Sequence, residues 1–208
     1  VQSALGRYVE AAGTLKTALG IADTAGDRRR AAAIAAELGS VYVAVGSHDA
    51  ADANLARALE VSRAVADRGL AAAVLNNLGN LRVAQGKPNE ALAAYRESID
   101  LAAAPEHRLL RARVSTNAAA VLRQQGKHGE VRPLLDRAAD DLRALPASHE
   151  VAFALVGVGI GYRDLSRLTS AEHDVLLLRA AAVLNEAAAQ ADRLGDRRTA
   201  SYALGHLG

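Results

Sequence analysis

Residues 70–103 carry apolar side chains at intervals of three and four residues, in two runs that a turn separates. The first run is Leu70–Gln85 and the second is Asn89–Ala103, with Gly86-Lys87-Pro88 between them. Apolar residues at this spacing fall on one face of an α-helix, whereas Gly and Pro interrupt helices. The stretch therefore predicts two amphipathic helices that fold back on each other as an antiparallel hairpin.

The same pattern returns every 40 residues along the chain. Gly6, Gly46, Gly86 and Gly126 stand 40 residues apart, and a fixed period of this length indicates an array of repeated hairpins. Because Gly accepts the left-handed conformation at a helix end, this series is expected to close the first helix of each hairpin. Three further series, of small, large and small residues, keep the register: Ala11, Ala51, Ala91, Val131 and Ala171; Leu15, Leu55, Tyr95, Leu135 and Val175; Ala18, Ala58, Ser98 and Ala138.

Turn signals and the apolar pattern together predict the bounds of the other helices. They are Val1–Leu5, ended by Gly6, then Tyr8–Thr24, Arg28–Val45, Asp49–Asp67, followed by a break at Gly69, His107–Gln125, His128–Leu145, Glu150–Leu165 and Thr169–Leu194. Strand signals are sparse, so no β-strand is expected. The repeats are expected at about 1–27 (partial), 28–69, 70–106, 107–147, 148–196 and 197–208 (partial), in a single domain over residues 1–208.

The repeated residues resemble the tetratricopeptide repeat in its extended form of about 40 residues. The resemblance rests on a Leu-Gly pair, an aromatic residue three positions later, a Gly at the turn, and the small–large–small series. In this sequence the pair is Leu38-Gly39 and Leu78-Gly79, and the aromatics are Tyr42 and Tyr162. The resemblance implies an all-α, right-handed superhelical solenoid of antiparallel helix hairpins. It also implies that the concave face of the array binds a protein or peptide.

A longer fifth repeat narrows the resemblance. Ala22–Gly39 aligns with Ala191–Gly208, and the 49 residues from Gly159 to Gly208 exceed the period by nine. The second helix of this repeat is therefore expected to be longer than the others. The region resembles the tetratricopeptide segment that precedes a caspase-like CHAT domain in large bacterial proteins. That resemblance implies an alternative function, in which the repeats couple or restrain an attached peptidase domain, and the chain is then expected to be a fragment of a longer bacterial protein.

Composition limits the chemistry that this chain can carry. Half of the residues are apolar, 3% are aromatic, and the net charge is +2 from 25 basic and 23 acidic residues. So small a surplus gives no strong attraction to nucleic acid or to a membrane. The chain has no Cys, which excludes a thiol nucleophile and disulfides. We therefore expect no nucleic-acid or membrane partner. The absence of Cys fits a reducing and an oxidising compartment alike, so the compartment stays unknown, with a cytoplasmic location favoured.

Two motifs that suggest chemistry have simpler explanations. Gly157-Val-Gly159-Ile-Gly161 resembles a phosphate-binding loop, but it falls inside a predicted helix, where small residues let a neighbouring helix approach. The six histidines include no pair at the i, i+4 spacing of a helical metal site. The sequence therefore predicts a non-catalytic protein with no metal and no cofactor.

Asparagines provide the candidate binding site. Asn77 and Asn117 lie 40 residues apart, at a position that the resemblance places on the concave groove. An Asn amide can both donate to and accept from a peptide backbone. Two interpretations stay open, because these side chains either bind an extended peptide or hold neighbouring helices together. The candidate peptide-binding residues are Asn76, Asn77, Asn80, Arg113, Thr116, Asn117 and Arg123, with Arg113 and Arg123 favouring acidic side chains on the ligand.

Overall fold

The chain was analysed as a computed structural model, which describes the backbone of residues 2–207 and the side chains of residues 6–207. Its α-helices are α1 (Gln2–Thr24), α2 (Arg28–Ala44), α3 (His48–Ala64), α4 (Arg68–Ala84), α5 (Pro88–Leu101), α6 (Arg108–Gln124), α7 (His128–Arg143), α8 (His149–Ser166), α9 (His173–Arg193) and α10 (Arg197–Gly205). Short 3₁₀ turns at Pro105–His107 and Ser170–Glu172 precede α6 and α9. No residue from 2 to 207 is in a β-strand. The predicted all-α fold of helix hairpins is confirmed.

The helices form two compact units, residues 1–102 and residues 103–208. The first unit contains α1 and the hairpins α2–α3 and α4–α5. The second contains the hairpins α6–α7 and α8–α9, followed by α10. The first helices α2, α4, α6 and α8 each begin within two residues of their predicted starts.

Close packing within each hairpin of the first unit depends on a Gly facing a large side chain. A Cβ on Gly39 would come within 2.6 Å of Cγ of Leu55, and a Cβ on Gly79 would overlap the ring of Tyr95. Leu55 and Tyr95 are 0% and 2% exposed. The Gly positions on the first helix and the large positions on the second therefore pack directly against each other.

The predicted turns between helices are correct in kind and wrong at two positions. Gly46, Gly86 and Gly126 have φ between 70° and 76° and close α2, α4 and α6. The break predicted at Gly69 is wrong, because Gly69 lies inside α4 and Ala66 makes the turn with φ 55°. Two backbone hydrogen bonds, from Ala66 N to Arg63 O and from Asp67 N to Ser62 O, hold that conformation.

Gly6 does not end a helix, which corrects the second position. The structure places it inside α1, which runs without a break from Gln2 to Thr24, and its φ is not positive. A Gly inside a helix costs only about 1 kcal/mol, so the period alone does not force a turn there. The side chains of Val1–Leu5, and the backbone of Val1, lie outside the described residues.

In the second unit, α8 and α9 contain the additional residues of the long repeat. α9 has 21 residues, compared with 17, 14 and 16 in α3, α5 and α7. As a result, Leu184 rather than Val175 takes the large position of this hairpin. A Cβ on Gly159 would lie 2.6 Å from Cγ of Leu184, and Leu184 is 1% exposed whereas Val175 is 51% exposed. A membrane-spanning helix would have to be longer and more apolar than any found among residues 2–207.

Candidate functional site

The predicted site residues of the first unit lie on α4, where two asparagines bond to their neighbours. Asn77 is half-buried, and its Nδ2 donates to the carbonyl oxygen of Ala36 on α2 at 3.4 Å. Asn76 is 8% exposed and donates to Oδ1 of Asn77 at the same distance. These bonds are long for N–H···O contacts, but they direct the Asn77 amide at α2. Asn77 therefore joins consecutive first helices.

Asn80 has a structural partner in its own hairpin. The hydroxyl of Tyr95 donates to Oδ1 of Asn80 at 2.7 Å. Tyr95 is buried over Gly79, and burial raises the pKa of its phenol well above the usual range. Because the hydroxyl stays protonated, it remains a donor, and Asn80 satisfies a polar group that would otherwise be buried without an acceptor.

The other four predicted residues lie on α6, and they differ in exposure. Arg113 is exposed, whereas Thr116, Asn117 and Arg123 are half-buried. The hydroxyl of Thr116 donates to the Ala112 carbonyl oxygen at 2.9 Å, within the same helix. Arg123 forms an ion pair with Asp164 of α8 at 3.5 Å. Arg113 is thus the most accessible cation of the predicted set.

The sequence did not predict a cleft of ≈ 1110 Å³ between the start of α8 and α10. Its walls carry two exposed aromatic rings, since Phe153 is 61% and Tyr202 is 49% exposed. The cleft is lined by His149, Glu150, Phe153, Asp196, Arg198, Thr199, Ser201, Tyr202, Gly205 and His206. These two rings are the apolar part of a lining that also carries charged side chains, including Glu150, Asp196 and Arg198.

The repeat register relates this cleft to the predicted residues. Phe153 follows Arg113 by 40 residues, and Tyr202 follows Phe153 by 49, the length of the long repeat. In the same way, His206 occupies the Asn117 position two repeats later. The alignment of Ala22–Gly39 with Ala191–Gly208 already carries the repeat register across the insertion. Had this alignment been used to choose site residues as well as helix bounds, it would have identified Tyr202 and His206.

Charged groups hold both ends of α10 in place. Asp196 caps its first turn, with Oδ1 accepting from the Thr199 amide at 3.0 Å, and Oδ2 lies 3.2 Å from Nδ1 of His149. Hydrogen bonds from the Thr199 backbone, then from its side chain, then from His149 lower the pKa of Asp196 to about 2. The carboxylate therefore stays charged at neutral pH.

At the other end of α10, His206 contacts both an arginine and an aromatic ring. Arg163 donates from a terminal nitrogen to Nδ1 of His206 at 2.6 Å. The rings of Tyr202 and His206 meet edge to face, with centroids 4.7 Å apart. Because an arginine can only donate, Nδ1 of His206 is the acceptor of this bond. His206 fixes the position of Tyr202 on the wall of the cleft.

The remaining candidate motifs have structural roles in the described residues. Gly157, Gly159 and Gly161 all lie inside α8, and a Cβ on Gly161 would come within 2.7 Å of Leu135. No group of three His, Asp or Glu side chains among residues 6–207 is arranged to hold a metal ion. The amides, guanidinium groups and aromatic rings on these helices are suited to recognition by hydrogen bonding, ion pairing and apolar contact.

Stacked antiparallel hairpins with Gly-to-large contacts define a helical-repeat protein. Residues 30–104 match the family model described as tetratricopeptide repeat. No curated protein matches the chain significantly. The fold matches BtubC (BKLC) from P. vanneervenii with a TM-score of 0.67 at 17% identity, over 98% of this chain and 89% of that one. It also matches a Rap protein complexed with Competence and Sporulation Factor, with the same TM-score and identity, over 98% of this chain and 58% of that one.

Proposed function

We propose that this chain is a non-catalytic scaffold that binds a peptide segment of a partner protein on the exposed faces of its first helices. The observation that carries the proposal is the match between repeat register and surface chemistry in the second unit. Arg113, Phe153 and Tyr202 occupy equivalent positions of three consecutive first helices, and all three are exposed. Exposed aromatic and arginine side chains are the residues most enriched at binding hot spots.

The chemistry of this face specifies the peptide. The cleft between α8 and α10 accepts an apolar side chain between Phe153 and Tyr202. Arg113, one repeat earlier, attracts an acidic side chain on the same segment, and Asn117 offers an amide for the peptide backbone. The likeness to a Rap protein solved with a bound factor supports the proposal, since it shows that a chain with this fold has been crystallised with a factor.

In the first unit, the contacts of α4 favour a structural role for the predicted asparagines. Asn77 is directed at the Ala36 carbonyl and Asn80 holds the Tyr95 hydroxyl, so their amides already have protein partners. This arrangement favours the second candidate function, in which the repeats couple or restrain an attached domain, with the CHAT-type peptidase as the implied example. Asn76, Asn77 and Asn80 belong to the peptide site only if a ligand displaces or shares these bonds.

Peptide-array screening followed by calorimetry tests the proposal. The 208-residue chain is expected to select segments that combine an apolar residue with acidic residues. Phe153→Ala and Arg113→Glu should each weaken binding of a selected peptide by about tenfold or more, which corresponds to 1.4 kcal/mol. Arg137→Glu is the matched control, because Arg137 is exposed on α7, a second helix, and it should leave binding unchanged.

The double variant Asn77→Ala, Asn117→Ala separates the two interpretations of the asparagines. If they bind peptide, affinity should fall by about tenfold to a thousandfold while melting is little changed, since each hydrogen bond contributes about 0.5–1.5 kcal/mol. A lower melting temperature with unaltered affinity would show that the two asparagines are structural and that the peptide binds at other residues of the first helices. Equal binding by Arg113→Glu and wild type would overturn the proposed face.

A further inference from the structure

The second helix α9 has an exposed stripe in addition to the face that it buries. Val175 is 51% and Leu178 is 72% exposed. They belong to a series of exposed residues at alternating intervals of three and four, which we call the α9 seam: Val175, Leu178, Ala182, Asn185, Ala189 and Asp192. Side chains at this spacing form one line along a helix, which is the pattern by which two helices pair.

A following hairpin does not cover this side of a second helix. In α7, which the hairpin α8–α9 follows within the second unit, the equivalent positions Gly129 and Asp140 are exposed. In α3, which the hairpin α4–α5 follows within the first unit, the equivalents Asp49 and Glu60 are exposed as well. The exposure of the α9 seam is therefore a property of this position in the repeat.

The chemistry of this side is what distinguishes α9. The positions of Asp49 and Glu60 in α3 are occupied by Leu178 and Ala189 in α9. The longer repeat extends the seam by one more apolar residue, Val175, which precedes the first residue of α9 that has an equivalent in α7. An apolar line of this kind, where the other second helices carry polar side chains, marks a contact surface.

Alternating charges line one edge of the seam. They are Glu172, Arg179, Glu186 and Arg193, each seven residues after the one before. An interval of seven keeps them on one line beside the seam, the place where charges select the partner and its direction when two helices pair. Their order is self-complementary, because the series reads with opposite signs when its direction is reversed.

Helix α7 of the same copy orders three of these charges and leaves them accessible. The ion pairs are Glu172 with Arg132 at 2.6 Å, Arg179 with Asp136 at 2.9 Å and Glu186 with Arg143 at 3.0 Å. The side chains of Glu172, Arg179 and Glu186 remain between 29% and 44% exposed. Side chains that are already ordered lose less entropy when they make a further contact.

We propose that two copies of this chain pair through the α9 seam, with the two α9 helices antiparallel about a twofold axis near position 183. Such an axis places Glu172 opposite Arg193 of the second copy and Arg179 opposite Glu186, so that every edge contact joins opposite charges. A parallel pairing would instead set Asp192 against Asp192. The order of the charges thus specifies a second copy, in the antiparallel direction, as the occupant.

Sedimentation equilibrium of the 208-residue chain, from micromolar to near-millimolar protein, tests the proposal. One helix from each copy buries less than the roughly 800 Å² per partner of a standard interface, so we expect weak, reversible dimerisation. The average mass should rise to that of a dimer and no further, because a twofold contact is closed. A chain that stays monomeric over the whole range would overturn the proposal.

A matched pair of substitutions locates the contact. Ala182→Glu places a charge in the middle of the seam and should weaken dimerisation by about tenfold or more. Ala53→Glu is the control, because Ala53 is the exposed equivalent of Ala182 in α3, and it should dimerise like the wild type. If both substitutions have the same effect, α9 is not the contact.

Charge reversal tests the direction of the pairing. Arg193→Glu and Glu172→Arg should each dimerise about threefold or more weakly, since each dimer of one variant sets like charges opposite each other. An equal mixture of the two variants should regain the wild-type strength, because every edge contact between them again joins opposite charges. Melting curves of each variant check that it folds, as Glu172 also pairs with Arg132. A mixture that associates no better than the separate variants would show that the pairing is wrong.

Single cysteines give a direct measure, because the chain has no Cys of its own. A mixture of Leu178→Cys and Ala189→Cys should form a disulfide between the two variants on oxidation. Antiparallel helices separate the two copies of position 178 by about 16 Å along their axes, whereas a disulfide requires Cα atoms within about 7 Å. Leu178→Cys alone should therefore cross-link poorly. If it links to itself as the main product, the helices are parallel and the proposal fails.

Discussion

Two glycines of α8, two residues apart, meet different surroundings and so have different roles. A Cβ on Gly159 would lie 2.6 Å from Cγ of Leu184, which is buried, whereas a Cβ on Gly157 would have only Thr116 Cγ2 nearby, at 3.7 Å. The first distance is inside the van der Waals limit and the second is an ordinary contact. At the residue scale, α8 therefore requires Gly at position 159 and merely tolerates it at position 157.

Substitution by Ala should have opposite effects on stability at Gly159 and at Gly157. Gly159→Ala should destabilise the fold by about 1–3 kcal/mol, because the added methyl group overpacks the hairpin. Gly157→Ala should stabilise it by up to about 1 kcal/mol, because Ala is the better helix former and has room. Urea unfolding followed by circular dichroism measures both. Equal effects of the two substitutions would show that α8 and α9 do not approach at Gly159.

Asn80 offers a second residue-scale prediction, on a buried hydrogen bond. Asn80→Ala leaves the Tyr95 hydroxyl without its acceptor in a buried site, which should cost about 1–3 kcal/mol. Adding Tyr95→Phe removes the stranded hydroxyl as well, so the double variant should recover part of the loss. Thermal unfolding of both variants and of Tyr95→Phe checks this. If Asn80→Ala melts like the wild type, the 2.7 Å bond between Asn80 and Tyr95 does not contribute to stability.

At the scale of elements, the 40-residue period predicted the positions of most helices and turns. The turns that it predicted wrongly depend on contacts that the period does not describe. Gly46 and Gly126 were predicted as turns because the pattern and the backbone requirement agree there. The turn at Ala66 was missed because Ala rarely takes a positive φ, and Gly69 lay close by as a better candidate. A better signal was the aspartate that follows the turn, since Asp27 and Asp67, 40 residues apart, both cap the next helix.

The candidate site was predicted less completely than the helices. The sequence proposed Arg113 as a residue of the binding groove, and its side chain is exposed in the structure. The sequence could not show that the Asn77 amide reaches Ala36 or that Asn80 holds Tyr95, because those partners depend on how two helices approach. The cleft at Phe153 and Tyr202 was missed because a 40-residue offset does not connect them across the insertion.

The cap of α10 gives an element-scale prediction on pH. Hydrogen bonds from Thr199 and His149 favour the charged form of Asp196 and lower its pKa to about 2. Since the folded pKa lies below the usual value of about 3.9, the carboxylate stabilises the fold at higher pH. This contribution is lost as pH falls from about 4 toward 2. The amide proton of Thr199, followed by NMR, should therefore titrate with a midpoint near 2.

A cap variant separates the hydrogen bond from the charge. Asp196→Asn keeps an acceptor for the Thr199 amide but removes the carboxylate that faces His149, so α10 should persist and the low-pH titration should disappear. Asp196→Ala should increase amide exchange throughout α10. If the Thr199 amide proton titrates with a midpoint near the pKa of an ordinary aspartate, the hydrogen bonds of the cap do not stabilise the charged form of Asp196.

At the scale of the whole molecule, the repeat predicts where the chain opens first. In helical-repeat proteins each hairpin is stabilised mainly by its neighbours, so stability is not uniform along the chain. α4 has a buried face in contact with both α2 and its own partner α5. α1 and α10 each have a face that is incompletely covered, at Leu15 and at Leu204. The period could predict this gradient, because it depends on neighbours in the sequence rather than on details of side-chain contact.

Native-state hydrogen exchange at low protein concentration tests that gradient. Amides of α1, including those near Val1–Leu5, and amides of α10 should exchange through local opening at least tenfold faster than those of Ala71–Gln85, which corresponds to 1.4 kcal/mol or more of opening free energy. Equal protection of α1 and α4 would contradict a stability that depends on covering neighbours.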